Sequence, residues 1–237
     1  MNGSIHERVA GLDWAAIQAA LHAQGYATTG PLLTASEART LATGYAEEAP
    51  YRGRVVMARH GFGQGEYKYF TYPLPPLVEQ LRQQLYPRLA PVANAWQSVL
   101  GQALRFPAEL KEMLARCHEA GQTRPTPLIL KYGKGDYNCL HQDLYGEHVF
   151  PLQVAFLLSD PGTDFAGGDF VLVEQRPRMQ SRPHVVPLRQ GEAVIFAVHH
   201  RPIQGIRGVY RVNLRHGVGT VRRGQRYTAG VIFHDAA

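Results

Sequence analysis

His141 and Asp143 stand one residue apart in the stretch KYGKGDYNCLHQDLYGEH, residues 131–148. On an extended segment alternate side chains point the same way, so this pair shares a face. Two histidines and a carboxylate on one side of an octahedral metal leave three positions open. That suits a non-haem Fe(II) which must also take a cosubstrate and dioxygen. The third ligand then has to arrive on a distant strand folded back alongside. GEAVIFAVHHRPIQG offers one, an apolar run ending in His199 and His200. Beyond it, GVYRVNLRHGV places Arg211 in a strand that otherwise reads as apolar. An inward arginine needs a carboxylate, because an unpaired buried charge is very costly. A dicarboxylate cosubstrate would meet it through a two-point contact. Each feature alone is common, since His-x-Asp pairs occur on surfaces and adjoining histidines in turns. Arg211, for its part, could pair with an internal Asp or Glu. Their order along the chain is what joins them into one site.

The elements that must position these groups fall into two halves. Asp13 caps a helix over WAAIQAALHAQ that Gly25 stops, and Thr34 with Glu37 forms a capping box for a second. LPPLVEQLRQQLYPRLAPVANAWQSVL reads as further helix interrupted near Pro87 and Pro91, and PAELKEMLARCHEAG as another that starts at Pro107. From about Pro125 the period changes to short strands divided by Gly, Pro and Asp, from PLILKY to RYTAGVIFH. Seven or so closely spaced strands with no helical pattern between them predict an antiparallel sandwich or barrel, and helices before strands an α+β chain. GFGQGEY and YGKGDY are rich in glycine but lack the strand and helix flanks of a phosphate loop. EYKYFTY, residues 66–72, puts Tyr67 and Tyr69 on one face, where they either pack the core or face a substrate.

Composition narrows the class. A chain of 237 residues can bury a substantial core as a single domain, with residues 1–120 mainly helical and 121–237 strand-rich. No apolar run approaches the roughly 18 residues of a membrane span, and the first residues carry no apolar signal segment. With Cys117 and Cys139 as the sole cysteines, a reduced, cytoplasmic setting is expected. From Val171 onward eleven arginines face three acidic residues, so the net charge of +6 is concentrated there. A local basic excess suits an anionic ligand or nucleic acid, or else a solvated surface paired with the slightly acidic first part.

LILKYGKGDYNCLHQD, FPLQVAFLLSDPGTDFAGGDFVLVE and VVPLRQGEAVIFAVHHRPIQGIRGVYRVNLRHG together resemble the core of the Fe(II)/2-oxoglutarate-dependent oxygenases, nearest their prolyl-hydroxylase-like branch. Tyr132, His141, Asp143, Gly167, Gly168, Asp169, Pro187, Gly191, Phe196, His200 and Arg211 fall into the places of that branch's motifs. EQRPRMQSRP and HHRPIQGIRG resemble, more narrowly, a bacterial family of such oxygenases described as acting on damaged DNA. The resemblance covers about residues 120 to 237. It implies a double-stranded β-helix (jelly-roll) core buttressed by the N-terminal helices. His141, Asp143 and His200 would hold Fe(II), His200 being preferred to His199 because a basic residue, Arg201, follows it. Arg211 would bind 2-oxoglutarate with Tyr132 and, secondarily, Asn213, while Arg207 competes for that role from a glycine-rich turn. The implied reaction uses O2, releases succinate and CO2, and hydroxylates a C–H bond. With a nucleic-acid substrate it would oxidatively demethylate an alkylated base.

Two other readings stand beside this one. Gly135, His141, Asp143 and Glu147 approach a cupin motif, with Asp143 where a second histidine is expected, which would make a metalloenzyme independent of 2-oxoglutarate. A metal- or ligand-sensing β-barrel would turn nothing over. The substrate stays open between nucleic acid, bound by Arg176, Arg178, Arg182, Arg201 and Arg207, a protein side chain and a small molecule.

Overall fold

The computed structural model describes residues 3–206 and 208–237. Its helices are α1 (Ile5–Ala10), α2 (Trp14–Gln24), α3 (Ala35–Thr43), α4 (Pro76–Val99) and α5 (Leu110–Glu119). The strands that precede residue 120 are β1 (Tyr26–Thr28), β2 (Tyr51–Val56), β3 (Gly63–Gln64) and β4 (Glu66–Phe70). Then follow β5 (Leu128–Tyr132), β6 (Tyr137–His141), β7 (Leu152–Leu157), β8 (Phe165–Gly167), β9 (Phe170–Gln175) and β10 (Arg182–Val186). The last are β11 (Ala193–Ala197), β12 (His200–Gly205), β13 (Gly208–Val218), β14 (Val221–Gly224) and β15 (Arg226–Val231).

The expected caps are in place. Asp13 accepts from the Ala16 N–H, Gly25 ends α2 in the left-handed region, and Thr34 and Glu37 bond reciprocally at the start of α3. α1 adds to the expected helices, and Ser4 with Glu7 repeats the same capping box there. Two expectations are corrected. α4 runs unbroken through Pro87 and Pro91. Each proline removes one intrahelical bond, to the carbonyl four residues earlier. Gln83 and Pro91 are exposed and Pro87 half-exposed, so the carbonyls thus freed lie on the wet side of the helix, where water serves them. α5 begins at Leu110, not at Pro107.

The strands form a seven-stranded sheet, β1-β11-β7-β15-β5-β4-β2, and a second with the path β10-β9-β13-β6-β3 and β12 added on β13. Pairings within both are antiparallel. The region before residue 120 is therefore less purely helical than expected, since β1, β2 and β4 extend the larger sheet at both ends. Alternation divides that sheet's faces. Ile129, Leu152, Val154, Phe156, Ile195, Ala197, Ala229 and Val231 pack into one core cluster with the helices. Ala155, Val194 and Phe196 point the other way and pack on Phe170, Leu172 and Val186 of the second sheet. A space thus lies between the sheets, with the helices behind it.

One buried ion pair ties the helices to the end of the sheet. Arg82 of α4 donates to Asp235 at 2.8 Å, to the Ile232 carbonyl at 2.8 Å and to the Tyr72 hydroxyl at 2.8 Å. Both charged side chains are fully buried. His118 of α5 and the Tyr72 hydroxyl also reach the Asp235 carboxylate, each at 2.9 Å. Removing one member of such a pair leaves the other charge buried and unpaired. Arg82→Met should therefore lower unfolding stability by about 3 kcal/mol or more, measured by urea titration. Glu48→Ala, which deletes the 84% exposed partner of Lys68, should cost no more than about 1 kcal/mol.

Candidate metal centre

His141 closes β6, Asp143 follows it, and His216 lies near the end of β13, which pairs with β6 so that His216 and His141 are direct register partners. His216 Nε2 is 3.3 Å from Asp143 Oδ2, and His141 Nε2 is 3.5 Å from Asp143 Oδ1. The three ligand-type atoms lie within 4.8 Å of one another. Metal–ligand bonds of roughly 2.1 Å at right angles put donor atoms about 3 Å apart, close to this spacing.

The His141 tautomer fits a metal as well. His141 Nδ1 lies 2.8 Å from the Cys139 carbonyl, which can only accept, so Nδ1 carries the proton and Nε2 presents a lone pair. His216 is fixed by packing instead, its ring 4.6 Å from that of Phe196 and stacked on Phe170 at 5.9 Å. Burial lowers its pKa and keeps it neutral. Burial alone would raise the Asp143 pKa, but the His216 hydrogen bond, the two imidazoles and the Tyr145 hydroxyl outweigh it and hold the carboxyl below its usual range. The chain thus places a carboxylate oxygen between two imidazole nitrogens.

A cavity of about 300 Å³ opens beside this group. Tyr67, Leu130, Tyr132, Gln153, Phe170, Phe196, Arg226 and Thr228 are among its walls. Arg226 is its one fully buried cation among the described residues. Its Nη1 donates to Thr228 Oγ1 at 2.5 Å, its Nε has no partner, and its guanidinium lies 5.7 Å from the Tyr132 ring centre. Burial pulls its pKa down to about 10, so it remains charged at neutral pH. An unpaired guanidinium on the wall of a cavity calls for an anion. Gly168 makes room for it: with φ of +65°, a Cβ there would stand 2.9 Å from Arg226 Cδ.

Several expected site residues are placed differently. His200 and His199 are not in the group with His141 and Asp143. His200 opens β12 opposite Asn213, three residues and about 10 Å along β13 from His216. It shares the outward face, because Val212, Leu214 and His216 take the inward one. The chain inserts the β12–β13 hairpin between the apolar strand β11 and His216, so the histidine adjoining β11 comes too early to join His141 and Asp143. Arg211 and Asn213 are exposed on that outward parity, Arg211 opposite Pro202. Neither lines the cavity. Arg207 lies outside the described residues. Tyr132 is where it was expected, buried in the cavity wall and accepting from Asn138 Nδ2 at 3.3 Å. Tyr67 also faces the cavity, and the Tyr69 ring packs edge-on against those of Tyr67 and Tyr145, with ring centres 5.3 and 6.4 Å away. His216 and Arg226 were legible in principle. His216 continues the even-numbered alternation of VNLRH, and Arg226 alternates with Thr228 in RYTAGV.

The arginines after residue 170 divide as well. Arg201 is buried and Arg176 partly so, both held by Glu174. Arg178, Arg182, Arg211, Arg215, Arg222 and Arg223 are exposed.

The profile of a family described as "Oxygenase, catalysing oxidative methylation of damaged DNA" matches residues 65–236. The chain belongs to this oxygenase family. Two curated proteins of Mycobacterium tuberculosis, strains CDC 1551 and H37Rv, each named only as uncharacterized, are 54% identical to it over 168 residues, 71% of this chain and 72% of theirs. Its fold is similar to that of a Pseudomonas putida prolyl-4-hydroxylase, with a TM-score of 0.52 and 16% identity over 94% of this chain and 99% of that one. It is also similar to an oxidoreductase of the 2OG-Fe(II) oxygenase family from Burkholderia pseudomallei, with a TM-score of 0.54 and 16% identity over 94% and 92%. Oxygenases of that class work with Fe(II), 2-oxoglutarate and dioxygen. No helix among the described residues of the oxygenase is long and apolar enough to cross a membrane.

The neighbouring histidines give a direct test of the ligand set. His216→Ala should abolish stoichiometric Co(II) uptake by the protein prepared without metal, read by calorimetric titration. His200→Ala should bind as the unchanged protein does.

Proposed function

We propose that this oxygenase holds Fe(II) through His141, Asp143 and His216, and oxidises an alkyl group on a nucleobase of damaged DNA. The two facing sheets are read as a double-stranded β-helix, buttressed on one side by the N-terminal helices. The observation that carries the reading is the pairing of a His-Asp-His group with a buried, unpartnered guanidinium across one cavity. Bound Fe(II) with 2-oxoglutarate and dioxygen supplies oxidation of an unactivated C–H bond, releasing succinate and CO2. Arg226 takes the far carboxylate of 2-oxoglutarate in a charge-assisted contact, with Thr228 orienting the guanidinium and Tyr132 walling the same end. Leu130, Phe170 and Phe196 keep that chamber apolar and exclude water, which strengthens the ion pair.

The family's description supports a DNA substrate, and hydroxylating an N-methyl C–H bond gives an N-hydroxymethyl group whose C–N bond breaks to release formaldehyde, so the methyl is removed rather than added. Two features of the surface agree with it. Where the cavity meets solvent Phe62 and Leu140 are exposed, and Phe62 stacks on His60 with ring centres 5.3 Å apart. Exposed aromatic faces of this kind stack on unpaired bases. The exposed arginines, Arg211 and Arg215 among them, give the second sheet a basic outer face able to contact phosphates.

Arg226→Met should raise the 2-oxoglutarate concentration needed for half-maximal succinate formation by about a hundredfold, the cost of breaking a desolvated charge pair, with Co(II) affinity unchanged. Arg211→Ala should leave that requirement as it is. If the two results are exchanged, the carboxylate assignment is wrong. A methylated single-stranded oligonucleotide should stimulate succinate release and lose its methyl group. Its affinity should fall roughly tenfold or more between 50 and 200 mM salt if three phosphates are contacted. Binding indifferent to salt would remove the nucleic-acid substrate while leaving the oxygenase chemistry standing.

A further inference from the structure

The carboxylate of Asp143 is gripped on both oxygens by groups outside the ligand set. The Tyr145 hydroxyl donates to Oδ1 at 2.7 Å, and Gln153 Nε2 donates to Oδ2 at 2.8 Å. An ionised carboxylate only accepts, so the amide nitrogen must face it and the Gln153 carbonyl must turn away. That carbonyl, Oε1, is buried without a partner. Gln153 is also the one polar residue in β7, between Leu152 and the run Val154–Leu157, and it lines the cavity from the sheet opposite His141 and His216. An orphaned acceptor in an apolar strand costs stability that leucine or methionine would avoid, so packing does not account for it.

Tyr145 is held with equal care. Gln122 donates to the carbonyls of Tyr145 at 3.0 Å, His148 at 3.2 Å and Asp235 at 2.6 Å, and accepts from the His148 N–H at 2.7 Å. Gly146, with φ of +97°, lets the loop press against it, where a Cβ would stand 2.4 Å from Gln122 Cδ. The phenol has one hydrogen to give, and the carboxylate, which only accepts, receives it.

Resting on the metal reading above, we propose that Tyr145 and Gln153 are positioning residues that lock Asp143 for ligation through one oxygen. The terminal torsion of an aspartate is broad and does not fix the carboxylate plane by itself. Two charge-assisted bonds, one to each oxygen, do fix it. A carboxylate so held cannot swing round to chelate with both oxygens, and the coordination positions that cosubstrate and dioxygen require stay open.

The test is Co(II) titration of Gln153→Met, Tyr145→Phe and the double variant, without cosubstrate, beside thermal unfolding of each metal-free protein. Each single change should weaken Co(II) binding by about tenfold or more with the protein still folded. The visible Co(II) spectrum should change as Asp143 turns to bind through both oxygens. The double variant should lose less than the product of the single effects, because the carboxylate is already free once either bond is gone. Singles that bind Co(II) within about twofold of the unchanged protein, with an unaltered spectrum, overturn the inference even if they melt earlier. Tyr145→Phe decides the matter alone should Gln153→Met fail to fold. If the unchanged protein takes up no Co(II), the metal reading itself fails and this inference falls with it.

Discussion

A buried, ionised carboxylate at Asp143 is the constraint to which the surrounding structure answers. Such a charge survives away from water only when hydrogen bonds and opposite charge compensate it. Here the compensation comes from four groups: His141 on β6, Tyr145 on the loop after β6, Gln153 on β7 and His216 on β13. Both sheets must therefore be correctly registered before Asp143 can ionise without penalty. The dependence reaches further, because Gln122 joins the Tyr145 loop to the Asp235 carbonyl, and the Asp235 carboxylate is paired with Arg82 on α4. Hydrogen bonds and an ion pair thus connect α4 to the Tyr145 loop.

How much of this could be read in the sequence depended on the range of the interaction. Local signals were faithful. The caps at Asp13, Gly25 and Thr34 rest on contacts within a few residues, and so does the His141–Asp143 pair. The change of period near Pro125 was equally visible, since strand alternation is itself local. α4 shows the limit of local rules, because it continues through two prolines whose freed carbonyls face its wet side.

The longer-range assignments turned on parity and on an insertion. In β13 the residues Val212, Leu214 and His216 point inward, and Arg211 and Asn213 outward. An arginine in an apolar-looking strand is inward or outward according to which set its number joins, and a one-residue difference exchanges the faces. The β12–β13 hairpin hid the distal histidine in a similar way. With the chain turning back on itself after His200, the expected adjacency of ligand and apolar strand no longer holds, and only the pairing of β13 with β6 brings His216 to His141.

The arginines show why composition alone could not sort them. Eleven of them after residue 170 look alike in a count of charge. The surroundings of those among the described residues separate them into Arg201 and Arg176, held by Glu174, Arg226, buried at the cavity without a paired carboxylate, and the exposed set on the outer surface. Burial with a partner stabilises a fold, and exposure offers a diffuse and salt-sensitive field. Burial without a partner is the costly arrangement, and a chain keeps it where a ligand will supply the missing charge. That asymmetry singles out Arg226 on physical grounds that do not depend on any likeness to other proteins.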